Sequence, residues 1–217
     1  LRLRNHLVRK RAELMAHIRN TAIQYNLPDI EGTLSCEGNR KEIDQHFPDP
    51  QVRKNIQVDL AMIDAHDDVL KILEADIEKT ARRHDGQSLM LLRSVHGIGP
   101  ILGLVLLYEI QDIKRFETVQ DFASYCRLVK CSHESAGKKK GTGGAKMGNV
   151  HLKWAFSEAA IIFVRLNPSA KKLFDSLLKL HGKGKAYAII AHRLARAIYY
   201  MLKNRVPFDL EKFLAAA

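Results

Sequence analysis

With 217 residues, 46% of them hydrophobic, the chain has enough apolar side chain to bury at least one real core and room for two modest units, which excludes a disordered tail. Its 35 Lys and Arg against 24 Asp and Glu leave a formal charge of +11, a balance that selects a polyanionic partner: DNA, RNA or an anionic membrane. No apolar run approaches the roughly 18 residues a membrane span needs, and the opening LRLRNHLVRK lacks a signal peptide's apolar stretch, so a cytoplasmic protein without membrane contact is expected.

From Leu3 to about Tyr25, apolar residues at Leu7, Leu14, Ile18 and Tyr25 recur at helical spacing among charged neighbours, and Pro28 ends the pattern. The Gly-, Pro-, Asp- and Asn-rich stretch from Leu27 to Pro50 predicts a long connection with at most one helical turn. A second helix should start just after Pro50. It carries Ile56, Ile63, Leu70 and Ile77 at seven-residue intervals, a coiled-coil seam that serves either a hairpin packed on itself or a dimerisation arm, the latter being the expectation. Asp85 and Gly86 break the pattern, which divides the chain into a coiled-coil region at residues 1–86 and a compact helical domain at residues 87–217.

In that domain helices are expected at Leu89 to His96, Ile101 to Ile110, Thr118 to Arg127, Asn149 to Leu166, Ser169 to Leu180 and Ala186 to Lys203. No strand-type alternation is sustained, so the fold class is all-α. The segment Lys130 to Met147, KCSHESAGKKKGTGGAKM, has almost nothing apolar to bury; ordering it costs on the order of 1–2 kcal/mol per residue, and mobility until an anion holds it is expected. Trp154 and Phe156 are assigned to the core, as is at least one of Tyr199 and Tyr200. Asp112, Glu117 and Asp121 read as caps and exposed helix faces. Cys36, Cys126 and Cys131 form neither a CxxC pair nor a zinc framework, so no metal site is expected in this chain.

Two motifs carry chemistry. SVHGIGPILGLVLLYEI has the form of a helix-hairpin-helix, in which Gly97 and Gly99 let backbone approach a phosphate at a helix N-terminus; the bland alternative is an ordinary helix pair with a Gly-Pro turn. HESAGKKKGTGGAKMGN sets Ser135 among Gly137, Lys138, Lys139, Lys140 and Lys146 and closes on Asn149. Lysines on a Gly-rich loop track a phosphate backbone, and from the chemistry alone a plain basic binding loop is the stronger reading, because a lone serine is a poor nucleophile.

From Leu89 to Phe213 the chain resembles the C-terminal transposase domain of the insertion-sequence one-ten family, whose relatives include the Piv-type site-specific DNA invertases. The resemblance is carried in order by SVHGIGPILGLVLLYEIQDIKRFETVQDFASYCRLV, SAG with its basic stretch, GGAKMGN with LKWAFSEAA, NPSAKKLFDSLL and KAYAIIAHRLARAIYYML. It implies a bacterial or archaeal DNA recombinase in which Ser135, of the S-x-G segment, is the nucleophile joined to a DNA phosphate. Ala136 stands where the family often has Gly, and Lys130 where it has a customary Pro. The resemblance also implies a RuvC-like N-terminal domain that holds Mg2+, with none bound by this chain and the chain inactive without that domain. DNA, a structured guide RNA and a homodimer or higher oligomer are the implied partners. The alternative is a non-catalytic nucleic-acid-binding and dimerisation module.

Overall fold

A computed structural model describes residues 1–129, 131–135, 138–143 and 147–215, with 131–135 and 138–143 described by their backbone. The chain forms two compact units, Leu1–Lys79 and Thr80–Ala217. Among the described residues no helix is long and apolar enough to cross a membrane.

The first unit is an antiparallel helical hairpin made by α1 (Arg2–Gln24) and the first eight turns or so of α2 (Pro50–Arg93). Asp49 starts α2, its Oδ1 accepting from the amides of Gln51 (2.7 Å) and Val52 (3.1 Å), while Pro50 takes the first helical position, where no amide hydrogen is needed. Two ion pairs and a hydrogen bond fix the direction and register of the two helices: Arg4 with Glu74 at 2.7 Å, Arg11 with Asp67, and His17 Nδ1 to Asp59 Oδ2 at 2.6 Å. The connection holds two 3-10 turns, Glu37–Arg40 and Ile43–His46, one more than the composition suggested. Arg40 from this connection is buried and donates to Leu34 O (2.9 Å), Asp64 (2.8 Å) and Asp67 (2.7 Å).

The seven-residue seam finds its partner inside the chain. Ile56 and Ile63 are wholly buried in one core with Ile18 and Ala22 of α1 and Ile30, Leu34 and Phe47 of the connection. Leu70 is buried as well. The seam therefore serves a hairpin packed on itself, and the expectation that this seam is the dimer contact is corrected: a heptad repeat specifies a helical partner but not which chain supplies it.

The break at Asp85 is a kink inside α2, with φ −152° and ψ 74° at that residue. Its carboxylate accepts from the Ser88 amide at 2.9 Å and restarts the helix. The second unit then builds from α3 (Pro100–Ile110), α4 (Val119–Tyr125), α5 (Val150–Leu166), α6 (Pro168–His181), α7 (Lys183–Asn204) and α8 (Leu210–Ala215). α8, six residues long, carries too little periodicity to announce itself in the sequence. α3 is apolar on nearly every side and is buried accordingly. α5 packs on α7, and both helices bury small residues, Ala155, Ala159 and Ala160 on one and Ala186, Ala191 and Ala195 on the other. Asn149 and Asn167 cap α5 and α6 through their side-chain oxygens.

The aromatic core is a chain of edge and tilted contacts: Phe116 to Phe122 at 5.1 Å, Phe122 to Phe156 at 6.1 Å and Phe122 to Tyr199 at 5.8 Å between centroids. Tyr199 is buried and its hydroxyl is held by Phe116 O (3.1 Å) and Glu117 O (3.0 Å), while Tyr200 is half exposed. Trp154, assigned above to the core, is 40% exposed whereas Phe156 is fully buried. Two residues apart on a helix are about 200° apart around its axis, so both cannot face one core. Asp112 and Asp121 are caps as read, the latter in a reciprocal capping box with Thr118.

The fold is all-α with one small addition that the sequence did not announce. The segment expected to lack structure contains β1 (Cys131–Ser135) and β2 (Lys138–Gly143), paired antiparallel. Gly and Lys in this stretch give no alternating apolar face, so the pairing rests on backbone hydrogen bonds rather than on a hydrophobic pattern.

Candidate nucleic-acid interface

The ribbon is rooted on the carboxyl end of α4. On its first leg, Arg127 takes a left-handed conformation (φ 57°) and the next amide, Leu128, donates back to Ala123 O at 3.0 Å, turning the chain out of the helix. On its second leg, the Asn149 amide donates to Tyr125 O at 2.7 Å and Arg127 Nε donates to Gly148 O at 2.9 Å. Gly148 has φ +101°, and a Cβ there would lie 2.6 Å from Tyr125 O. Only glycine permits so close an approach of the returning leg.

Between these legs the strands pair Cys131 with Gly143, Ser132 with Thr142, Glu134 with Lys139 and Ser135 with Lys138, with an irregularity between Ser132 and Glu134. Ser135 thus ends β1 at the closed end of the ribbon, opposite Lys138, and Lys139 and Lys140 follow on β2. Gly137 and Lys146, named above as phosphate contacts, lie outside the described residues.

Under the ribbon lies a polar cluster that the sequence reading missed in part. Asn149 was assigned to nucleic-acid binding, yet it is 8% exposed and its side chain is committed within the chain. Its oxygen accepts from His151 (2.9 Å) and Leu152 (3.1 Å), and its nitrogen donates to Glu109 Oε2 at 2.6 Å and lies 3.5 Å from Tyr125 Oη. The structure therefore makes Asn149 a post that fixes the ribbon's second leg. The hydrogen bond with Asn149 holds the Tyr125 phenol below its ordinary pKa; partial burial opposes this and the Arg115 cation adds to it. Arg115 lies over the Phe116 and Tyr125 rings, 4.6 Å from each centroid. Glu109 and Tyr125 sit in apolar-looking helical sequence, which hid them. Gly148 was visible as a glycine one place before a capping asparagine.

The two hairpin glycines differ. Gly97 has φ +98° and is buried, and a Cβ there would sit 2.7 Å from Phe163 N and 2.8 Å from Ala159 O of α5. The space where its side chain would stand is filled by α5, so packing by itself requires glycine at this position. Gly99 is exposed and opens α3 as its N-cap, and a Cβ there would meet nothing within 4 Å, so it alone of the pair keeps the open approach.

Other reactive groups are quiet. Burial pushes the Cys126 thiol far up, and Cys36 is exposed. Among the described residues no group of three or more His, Cys, Asp or Glu side chains could hold a metal ion, so these residues do not fit a divalent-ion site.

Residues 89–175 match the sequence profile of the family described as Transposase IS116/IS110/IS902 family. Over 219 aligned residues the chain is 22% identical to a transposase for insertion sequence element IS1111A of Coxiella burnetii, with 94% of this chain and 58% of that protein covered. It is 26% identical over 147 residues to a probable family 20 transposase of Pseudomonas aeruginosa, covering 63% of this chain and 43% of that protein. A putative transposase of Sinorhizobium fredii is 27% identical over 141 residues, covering 63% and 35% respectively. The chain thus spans less than two thirds of the length of these curated relatives.

Proposed function

We propose that the chain, whose residues 89–175 match the Transposase IS116/IS110/IS902 family, is the DNA-handling part of an insertion-sequence transposase that cuts and rejoins strands through Ser135. The observation that carries this reading is the position of Ser135 at the closed end of a lysine-bearing ribbon, paired with Lys138 and followed by Lys139 and Lys140. A ribbon rooted at both legs on α4 presents its tip as a unit, and lysines beside a serine supply the charge that brings a phosphodiester to its hydroxyl.

In the step proposed, the Ser135 oxygen forms a P–O bond as the P–O bond to the departing strand breaks. The serine gives up its proton, the departing strand leaves as a hydroxyl, and the reverse reaction with a new strand end rejoins the DNA. Mg2+ enters this proposal only through a RuvC-like N-terminal domain, the family's metal-bearing half. Among the described residues none fits it, and no role for the ion is assigned to this chain. A structured guide RNA is part of the proposal for the insertion-sequence branch, and Gly99 at the start of α3 is the remaining hairpin contact for a phosphate.

Self-association is proposed through a different face from the buried seam. Val58, Met62, Val69 and Ile72 are each 46–72% exposed on α2 and, with Ala65, recur at steps of four and three residues. That stripe lies roughly 130° round the helix from Ile56, Ile63 and Leu70, and its heptad spacing suits a second copy.

The test is covalent trapping: protein supplied with the RuvC-like domain, Mg2+ and DNA carrying the element junction, with and without co-transcribed RNA, run on a denaturing gel. A protein–DNA band that disappears in Ser135→Ala supports serine strand transfer, and dependence on RNA supports the guided branch. A band that survives the substitution refutes Ser135 as nucleophile. Tight binding with no band at all favours the non-catalytic binding module.

A further inference from the structure

A long trough runs along α7 beside α8, with a volume of about 1470 Å³. That exceeds the roughly 300–1,000 Å³ of ordinary small-ligand sites, so it suits a segment of polymer rather than a free metabolite. Its floor is apolar, including Ile189, Met201, Phe208 and Phe213, and the half-exposed Tyr200 stands on its α7 side. Its lining includes Leu128 and Val129, three and two residues before β1 begins at Cys131.

The α7 wall is cationic, whereas the α8 side is mixed, with Asp209 and Glu211 beside Lys212. Lys185, His192, Arg193 and Arg196 lie on α7, and Asp209 and Glu211 lie at the α8 side, where Asp209 already pairs with Lys212 at 3.2 Å. Burial, followed by the Arg196 and Arg193 cations, lowers the His192 pKa, so the imidazole is neutral at pH 7 and adds a donor without a charge. Among the described residues, Arg193 Nη1 is shut off from solvent and has no hydrogen-bond partner. A buried guanidinium nitrogen without an acceptor is costly, and a small swing of this long side chain towards the trough would give it an anionic one.

We propose that this trough binds a short unpaired stretch of nucleic acid, with a phosphodiester on Arg193 and Arg196 and the adjoining base on the apolar floor against Tyr200. The proposal rests on the nucleic-acid reading of the ribbon and deepens it: strand exchange requires strands to separate, and the trough opens where the ribbon begins. Cations along one wall above an apolar floor suit a ligand that has one anionic edge and a flat, uncharged body. A peptide with acidic groups along its length would meet Asp209 and Glu211, and a duplex offers no free base faces to an aromatic platform.

The test titrates the chain with a 12-nucleotide thymidine oligomer carrying one 2-aminopurine, and in parallel with a duplex of the same length. Arg193→Gln, Arg196→Ala and Tyr200→Ala are compared with the parent; the last two alter exposed side chains and stand even if the first perturbs folding. The expected result is a change in 2-aminopurine emission on binding. Each variant should lose on the order of tenfold in single-strand affinity, the arginine variants with a salt slope lower by about one, against less than twofold for duplex. The His192 imidazole, followed by NMR, should titrate at higher pH when the oligomer is bound.

Equal losses on both probes, or none, overturn the trough assignment. Displacement of the oligomer by an oligoglutamate peptide at equal affinity also overturns it and gives the trough to a protein partner. If the parent binds neither probe, the nucleic-acid reading itself falls. If it binds both and only substitution of Lys138, Lys139 and Lys140 weakens it, the ribbon reading stands and the trough proposal fails alone.

Discussion

The two units hold their helices in register by different means. In the hairpin, one narrow apolar seam supplies the burial, and charge supplies the register: Arg11 and Arg40 converge on Asp67, flanked by Arg4 with Glu74 and His17 with Asp59. In the helical domain, close packing does both jobs. Gly97 lies against the backbone of α5, Gly148 against the end of α4, alanines are buried on α5 and α7, and an aromatic chain runs through the middle. The lesson is that a seam of leucines and isoleucines slides unless something polar marks it, whereas interlocked aromatics and glycines mark themselves.

The largest effect should come from breaking the close packing. Gly97→Ala places a methyl within 2.8 Å of two α5 backbone atoms at a positive φ, and a loss of about 3 kcal/mol or more is expected in urea melts. Gly99→Ala, two residues on and in open space, should stay within about 0.5 kcal/mol. Equal losses at the two positions would show that the turn, not contact with α5, sets the requirement for glycine.

Removing the marker of the hairpin comes next. Asp67→Asn leaves the buried Arg40 with fewer charged acceptors, and a loss of about 2 kcal/mol at pH 7 is expected for the hairpin. Burial by itself would raise the Asp67 pKa, but hydrogen bonds from Arg11 and Arg40 outweigh it and hold the pKa below the usual value. The sign follows: its stabilisation is complete above the unfolded carboxylate pKa of about 3.9 and is lost as pH falls through the lower folded value. Melts of parent and Asp67→Asn should therefore converge as pH drops below about 4, and a constant gap down to pH 2 would contradict the charge account.

Smaller again is Tyr199→Phe, which removes a buried hydroxyl from Phe116 O and Glu117 O while keeping the ring against Phe122. A loss of about 1 kcal/mol is expected by chemical denaturation. Ile72→Lys, on the exposed stripe of α2, should leave the melting curve within about 0.5 kcal/mol while shifting the chain to monomer in sedimentation. A shift in stability without a shift in mass would return that stripe to the hairpin's own packing.

Much of the fold could be read in advance. Apolar spacing located α1, α2 and α3 to α7 to within a few residues, because a helix that buries one face must repeat its apolar residues every three or four positions. Turn residues located the kink at Asp85 and the break between α5 and α6 at Asn167. The ribbon, by contrast, has no apolar alternation to read, and the Glu109–Asn149–Tyr125 cluster joins residues 16 to 40 positions apart. Of the residues singled out for nucleic acid, Ser135 and Lys138 to Lys140 come together on the ribbon, while Gly97 and Asn149 are spent on internal packing and capping.

The sequence by itself determined what is local: charge, helix periods, caps, breaks, and a serine among lysines on a stretch with nothing to bury. Tertiary structure alone decided what is relational. It gave the heptad seam to α1 of the same chain, set Gly97 against the backbone of α5, and placed Arg193 in a trough with a nitrogen that has no partner among the described residues. The reason is physical: the period of a pattern is a property of one segment, whereas the identity of a neighbour depends on which segments the whole chain brings within contact distance.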